Sequence, residues 1–574
     1  MRSHRFSTAA TLALVLALAL GAAGEARSAA DLPGGIVSLD SNLAVTLVSA
    51  PRLALTGRQF TVDVELTETT GNAGVWTQVD LLNGGSATRS KPVYVDSGGT
   101  RSVSFPVTLN TNGSYAFEAH LPESGDPADD NSGTALVDVT QFRVDGGNVL
   151  LPWLVGYGGQ FNHSLFLKSL NPNVPPGAPA LEEKLETLEP QVVRLFFPLL
   201  GLTQPERLAA FREVVAMAQE TGAVINVTFQ SNFPVANIET NMTQFANVLV
   251  DLVKNRGITN LRWVTLVNEA NTTAVTLPNY ERMYRLLHGH LVAAGVRDQI
   301  RFMGGDLVQD KQREWFQYMA ANMNDLLDAY SVHVYWDYWD TPKIAQRLED
   351  VRTIGTQEIP AAARKPIYVM EYGVRGIRRL DGPTSPLLPQ PGLWADRTPM
   401  AQTNISAFQL GWFDILSARL GYPATATWDL FNAKYDNGTQ DYSAIGPAPD
   451  FKLRPSYYLL RLFTATTEPG WRIVSLDGDA GGKLLTAYNS AGGMVTVIGL
   501  DRDGGQLNDA SGGPGSYSVA GLPSLTTFKL VVWNRDGTGV LSSDQVVTTD
   551  ALGIAHLSVP QHAVWALTTH PIAD

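Results

Sequence analysis

The 574-residue chain contains no cysteine. That removes disulfide scaffolds, thiolate zinc sites, iron–sulfur clusters and cysteine nucleophiles together. Charge is sparse as well. Charged residues make up 17% of the chain, and 55 acidic side chains outnumber 42 basic ones for a net charge of −13. A nucleic-acid binder needs a basic footprint, so no nucleic-acid partner is expected. Several catalytic signatures are missing too. Neither an H-E-x-x-H zinc pattern nor a G-x-S-x-G nucleophile elbow occurs, and Gly482-Lys483 lacks the upstream glycine of a phosphate loop because Asp477 stands there. Asp501 and Asp503 begin like a calcium loop, but Gly512 occupies the position where such a loop carries glutamate. None of these segments implies a metal or a cofactor.

Long apolar runs are almost absent. The one that stands out is Leu12–Leu20, preceded by Arg2 and Arg5 and followed by small residues up to Ala30. It is short for a membrane span, which needs about 20 apolar residues, and it has the charge and small-residue flanks of a secretory signal peptide. Residues 1–30 are therefore expected to be a bacterial-type signal. The mature protein is expected to be extracellular or periplasmic, with no membrane association once the signal is removed.

What remains shows three patterns. From 31 to 147, short runs alternate apolar and polar residues (Gln59–Leu66, Ser114–His120 and Thr134–Val139 among them), separated by Gly, Asn, Asp and Pro. Such runs predict an antiparallel β-sandwich. With Asp126-Pro-Ala-Asp-Asp-Asn-Ser before its last strand, this segment resembles immunoglobulin-like modules of bacterial surface proteins.

From 148 to 465 the pattern is strand, then helix, repeatedly. Eight short apolar runs, at 154–158, 192–196, 223–228, 261–267, 300–304, 330–334, 366–370 and 424–428, alternate with amphipathic helices such as Glu206–Glu220 and Tyr280–Ala294. This predicts an α/β chain folded as a (β/α)8 TIM barrel. From 466 to 574 the helical pattern stops and strands return, predicting a C-terminal β-sandwich.

In a (β/α)8 barrel the chemistry sits at the C-terminal ends of the strands. Strand four ends in Asn268-Glu269, strand six in His333-Val334-Tyr335-Trp336, strand seven in Glu371-Tyr372 and strand eight in Trp428-Asp429, while Arg194 lies within strand two. Two carboxylates across one barrel mouth suit glycoside hydrolysis, in which one carboxyl donates a proton and the other attacks or activates water.

These positions resemble the clan A glycoside hydrolases, the retaining (β/α)8 glycosidases. The resemblance covers residues 150–465. It implies Glu269 as acid/base, Glu371 as nucleophile, and Arg194, Asn268, His333, Tyr335, Trp336, Tyr372 and Trp428 as substrate-binding or supporting residues. Asn268 would meet the sugar 2-hydroxyl, Tyr335 or Tyr372 would hydrogen-bond Glu371, and Trp336, Trp339 and Trp428 would offer flat faces to pyranose rings. Asn-Glu-Ala270 departs from the Asn-Glu-Pro of family 5, and Lys452–Phe463 followed by a β-domain resembles family 39 enzymes. The implied partner is a carbohydrate substrate, with the flanking sandwiches as candidate contacts to polysaccharide or a cell surface. Two alternatives stay open here: a transglycosylase using the same residues, and a non-catalytic carbohydrate-binding or adhesion protein.

Overall fold

The computed structural model describes residues 41–121, 131–230, 237–308, 312–338, 340–375, 403–431, 440–478, 481–505 and 514–572, with short strand segments at 377–379, 397–399 and 434–435. The expected signal peptide, Trp339 and most of the 375–400 loop lie outside the described residues. Among the described residues no helix is long and apolar enough to cross a membrane. The chain divides into two compact units, the first made of most residues before 138 and the second of those from 138 onward.

The first unit is β-structure. Leu43–Ser49, Gln59–Glu68 and Thr100–Thr108 form a three-stranded sheet, and a five-stranded sheet includes Asp80–Asn83, Gly113–His120 and Ser132–Thr140. Val62, Val64 and Leu66 are buried at alternate positions, as are Phe117 and Ala119, which is the period-two burial of one-sided sheets.

The second unit holds a closed barrel of eight parallel strands: Gly156–Phe161, Val192–Pro198, Val224–Gln230, Leu261–Leu266, Arg301–Leu307, Ala329–Asp337, Ile367–Arg375 and Ala424–Thr427. Each overlaps the run expected for it, with ends displaced by a few residues. These are referred to below as barrel strands one to eight. Because helices cover the outside and side chains fill the inside, the strands are apolar on both faces. Val192, Trp263, Met303, Ala329, Tyr368, Met370 and Ala426 make an apolar plug inside the barrel. Above it come Asn226 and Thr265, joined by a 3.2 Å hydrogen bond, and then the charged layer described below.

Helix Asn404–Arg419 is buried nearly all round. It contacts barrel strand seven on one side and the C-terminal strands Lys483–Asn489 and Val495–Asp501 on the other, which explains its lack of a polar face. Thr403 caps it, accepting a hydrogen bond from the Ser406 amide.

The C-terminal strands form one hydrogen-bonded sheet of nine. Leu530 and Trp565 from one end of the strand order share a core with Tyr517, Val519 and Leu557 from the other, so the sheet folds over itself. The boundary placed at 147 passes through a strand, Phe142–Leu151, that pairs with Arg472–Asp477 and Gly515–Ala520. Phe142 and Val144 draw it there, since both pack into a core with Val474, Leu476, Tyr517 and Trp565.

Candidate active site

The charged layer begins with Arg194. Its place on barrel strand two, two residues above Val192 of the apolar plug, turns it into the barrel interior, where it is completely buried. A buried guanidinium demands partners for its N–H groups. Nε donates to Thr228 Oγ1 at 3.1 Å, and Nη1 donates to Gln160 Oε1 at 3.2 Å and Glu371 Oε2 at 2.6 Å. Nη2 donates to Asn268 Oδ1 and to Asp306 Oδ2, both at 2.6 Å. Burial alone would lower the Arg194 pKa, but the charges of Asp306 and Glu371 outweigh it and raise it, so the cation is permanent.

Glu371 owes its aim to a bulge. The pairing of strands six and seven slips between Val332 and His333, so His333 faces Glu371. Met370 points into the plug while the next residue also turns inward, the re-aiming that bulges give next to active sites. Glu371 Oε1 accepts from the Tyr335 hydroxyl at 2.6 Å, which with Arg194 on the other oxygen gives two charge-assisted hydrogen bonds to the ionised form. Gly373, beside Tyr335 in register, makes room for the phenol, because a Cβ there would meet Tyr335 Cε1 at 3.0 Å.

Glu269 stands on left-handed backbone at φ 49°, and Val267 is left-handed too at φ 65°. For a β-branched residue that is a true outlier, with a cost of roughly 1–3 kcal/mol. It turns the end of strand four so that Asn268 reaches Arg194 and Glu269 reaches His333. The Glu269 side chain keeps 31% of its exposure against 8% for Glu371, so Glu269 is the carboxyl open to a ligand. Burial pushes its pKa up, but the hydrogen bond and charge of His333, helped by Arg194, bring it below the ordinary value.

His333 is fully buried between these groups. Nδ1 lies 3.3 Å from Glu269 Oε1 and 3.7 Å from Glu371 Oε2, and Nε2 lies 3.6 Å from Asp306 Oδ1. Burial alone would lower its pKa, but Glu371 and then Asp306 raise it to about 9. One donor atom each of Glu269, His333 and Glu371 falls within 4.8 Å of the other two, a spacing within which a metal ion could fit. The Arg194 cation already occupies Glu371 Oε2 at 2.6 Å, so the donor set reads as an ion-pair network.

Two expected site residues face the other way. Tyr372 donates to Asp414 at 2.8 Å, behind the barrel, and stacks on Phe413. Trp336 donates from Nε1 to Gln409 Oε1 at 2.8 Å and is completely buried, so it offers no face to a ligand. Both follow from strand alternation past the bulge: Tyr335 and Glu371 point in, so the residues that come after them point out. Trp428 does stand at the mouth, clustered with Phe196 and Tyr335, and is 8% exposed. The expected outcome is that Tyr335→Phe lowers kcat by about ten- to hundredfold, the worth of a hydrogen bond to a charged group. Tyr372→Phe should instead lower the melting temperature and leave kcat within about twofold. Parallel kinetics and melting curves check both.

Asp306 was not expected. It is wholly buried on barrel strand five, where Arg194 and Ser331 donate to it. Burial would raise its pKa, but Arg194 and then His333 hold it far below the usual carboxylate range. The available signal was Gly305-Asp306 directly after the apolar run 300–304 of that strand.

No protein-family model matches the chain, and no curated protein matches it. Solved structures do. The catalytic domain of a family 30 glycoside hydrolase, xylanase C from Talaromyces cellulolyticus, matches with a TM-score of 0.51 at 12% identity, over 75% of this chain and 100% of that one. SrfJ from Salmonella typhimurium matches with a TM-score of 0.50 at 12% identity, over 87% of this chain and 100% of that one. A family 44 xyloglucanase from Paenibacillus polymyxa gives 0.46 at 10% identity, over 74% of this chain and 98% of that one. At such identities the likeness is one of fold: the chain has the TIM-barrel architecture found in the family 30 glycoside hydrolase, with flanking β-rich regions.

Proposed function

We propose that the chain is a secreted, retaining β-glycosidase acting on a poly- or oligosaccharide, with Glu371 as nucleophile and Glu269 as acid/base. The observation that carries this reading is the pairing of the two carboxylates at the end of a barrel, close enough that one oxygen of each lies within 4.8 Å of the other. Retaining enzymes hold their carboxyls about 5–5.5 Å apart, whereas inverting ones leave about 6.5–9.5 Å for a water.

The roles divide by environment. Glu371 accepts hydrogen bonds from Arg194 and Tyr335, which favours the ionised form that attacks the anomeric carbon. Glu269 is the more exposed and donates a proton to the leaving oxygen as the glycosyl–Glu371 bond forms. In the second half it takes a proton from water, which attacks the same carbon from the leaving-group side, so configuration is retained. Asn268, with its carbonyl oxygen held by Arg194, turns its amide nitrogen to the sugar 2-hydroxyl. Trp428 with Phe196 supplies apolar wall at the mouth. Carboxylates and water suffice for the reaction. The flanking β-rich regions are surfaces for polysaccharide or a cell surface.

The experiment is a leaving-group series in Glu269→Ala. Aryl glycosides with poor leaving groups should lose on the order of 10³-fold or more in kcat/KM, the scale of general acid catalysis, while a dinitrophenyl glycoside loses far less. A uniform loss across the series overturns the acid assignment.

A further inference from the structure

Asp306 is not used by the mechanism above, yet it is among the most heavily engaged groups in the molecule. Its backbone has a left-handed φ of 50°, directly after Gly305 at φ 123°. The pairing of strands five and six slips between Gly304 and Leu307, so Asp306 rides on a bulge. Gly305 is required there, since a Cβ would come within 2.4 Å of the Ser331 carbonyl oxygen. The bulge is pinned from outside. The Gly305 amide donates to the Tyr280 hydroxyl at 2.7 Å, and the neighbouring Tyr284 hydroxyl accepts from the Leu266 amide at 2.9 Å and donates to the Met303 carbonyl at 2.6 Å. Two tyrosines of helix Leu277–Ala293 therefore hold the ends of strands four and five, which carry Glu269 and Asp306.

Inside the barrel, Asp306 Oδ2 holds Arg194 Nη2 at 2.6 Å and accepts from Thr228 at 3.2 Å, while Oδ1 accepts from Ser331 and faces His333 Nε2 at 3.6 Å. That imidazole nitrogen is buried, and Asp306 Oδ1 is the carboxylate oxygen it faces among the described residues. The charged groups around the imidazole are Glu269 from strand four, Asp306 from strand five, Glu371 from strand seven and Arg194 from strand two. Two cationic groups thus face three carboxylates.

We propose that Asp306 is a positioning residue that holds the outer edge of His333, and with it Arg194, so that His333 and Glu269 share one proton as a single acid/base unit. This rests on the glycosidase reading. The pair His333-H⁺/Glu269⁻ and the pair His333/Glu269-H contain the same proton, placed at either end of the 3.3 Å Nδ1–Oε1 line. In glycosylation, the proton on Nδ1 moves to Glu269 as Glu269 protonates the leaving oxygen, the C–O bond breaks and the Glu371–carbon bond forms. In deglycosylation, the proton lost by the attacking water passes to Glu269 and back to His333, and the carboxylate of Glu371 leaves. One proton departs with the leaving alcohol and one arrives from water, so the cycle closes. This accounts for a general acid whose own pKa lies below the ordinary value beside an imidazole held at about 9.

The test combines histidine NMR with kinetics on an aryl β-glycoside, using the full chain. The His333 signal is assigned by its loss in His333→Gln. In the wild type His333 should titrate well above the ordinary value of about 6.5. Asp306→Asn removes the anion that favours the imidazolium, so the midpoint should fall by at least one pH unit. The alkaline limb of kcat/KM should fall with it, and kcat should drop tenfold or more with KM within about threefold. Should Asp306→Asn not fold, Glu269→Gln, at a half-exposed position, carries the same titration and must also lower the His333 midpoint. A purely structural Asp306 would leave the pH profile in place. An active wild type whose His333 titrates near 6.5, or ignores the substitutions, overturns this inference alone. An inactive wild type with these His333 shifts overturns the glycosidase reading alone.

Discussion

Glu371→Ala should reduce turnover of an activated aryl β-glycoside by on the order of 10⁵-fold, about 7 kcal/mol of transition-state stabilisation. The loss is large because Glu371 is the group toward which the site is built. Arg194 and Tyr335 each place a donor 2.6 Å from one of its oxygens, and strand seven bulges to bring it inward. Truncation removes the nucleophile and leaves space of carboxylate size beside a fixed cation. Azide should occupy that space, restore turnover and yield a glycosyl azide of inverted configuration, since one displacement then replaces two. Product analysis by NMR with and without azide checks this. Wild-type rates in the variant would remove Glu371 from the mechanism.

Arg194→Met should destabilise the fold by about 3–5 kcal/mol, the scale of removing one partner from a buried ion pair. Asp306 is fully buried and Glu371 nearly so, and both lean on this one guanidinium. The sign of the pH dependence follows from Asp306. In the wild type its folded pKa lies below the unfolded value near 3.8, so its contribution is present above that value and is lost only as pH falls through the folded pKa. Without Arg194, burial dominates and the folded pKa rises above the unfolded one. The carboxylate then destabilises the variant at neutral pH, and acid relieves this by protonating it. Denaturant unfolding at pH 7 and pH 4 should show the gap between wild type and variant narrowing at pH 4. A constant gap would mean that packing of the methylene stem, not charge, is what Arg194 supplies.

The barrel was legible because its strands are short apolar runs separated by amphipathic helices, and each run falls on an observed strand. The carboxylate pair was legible because Asn268-Glu269 follows strand four and Glu371 lies on strand seven, and Arg194, His333 and Tyr335 because they share the same inner layer. Side-chain phase separated the rest. Tyr372 and Trp336 come directly after inward-facing residues in regularly alternating stretches and so point outward, to Asp414 and Gln409. Strict alternation would have excluded both once Glu371 and Tyr335 were placed inside. Asp306 was hidden for a different reason: Gly304-Gly305 reads as the end of a strand, whereas the pair forms a bulge that continues it. The strand Phe142–Leu151 was hidden by distance, since its partners lie more than 300 residues away.

The most direct test of the two-carboxylate account is the anomeric configuration of the first-formed product, followed by proton NMR within the first minutes of wild-type hydrolysis of an aryl β-glycoside. The account predicts a β-anomer that appears first and then mutarotates. An α-anomer appearing first would mean a single displacement by water, and would contradict the assignment of Glu371 as nucleophile.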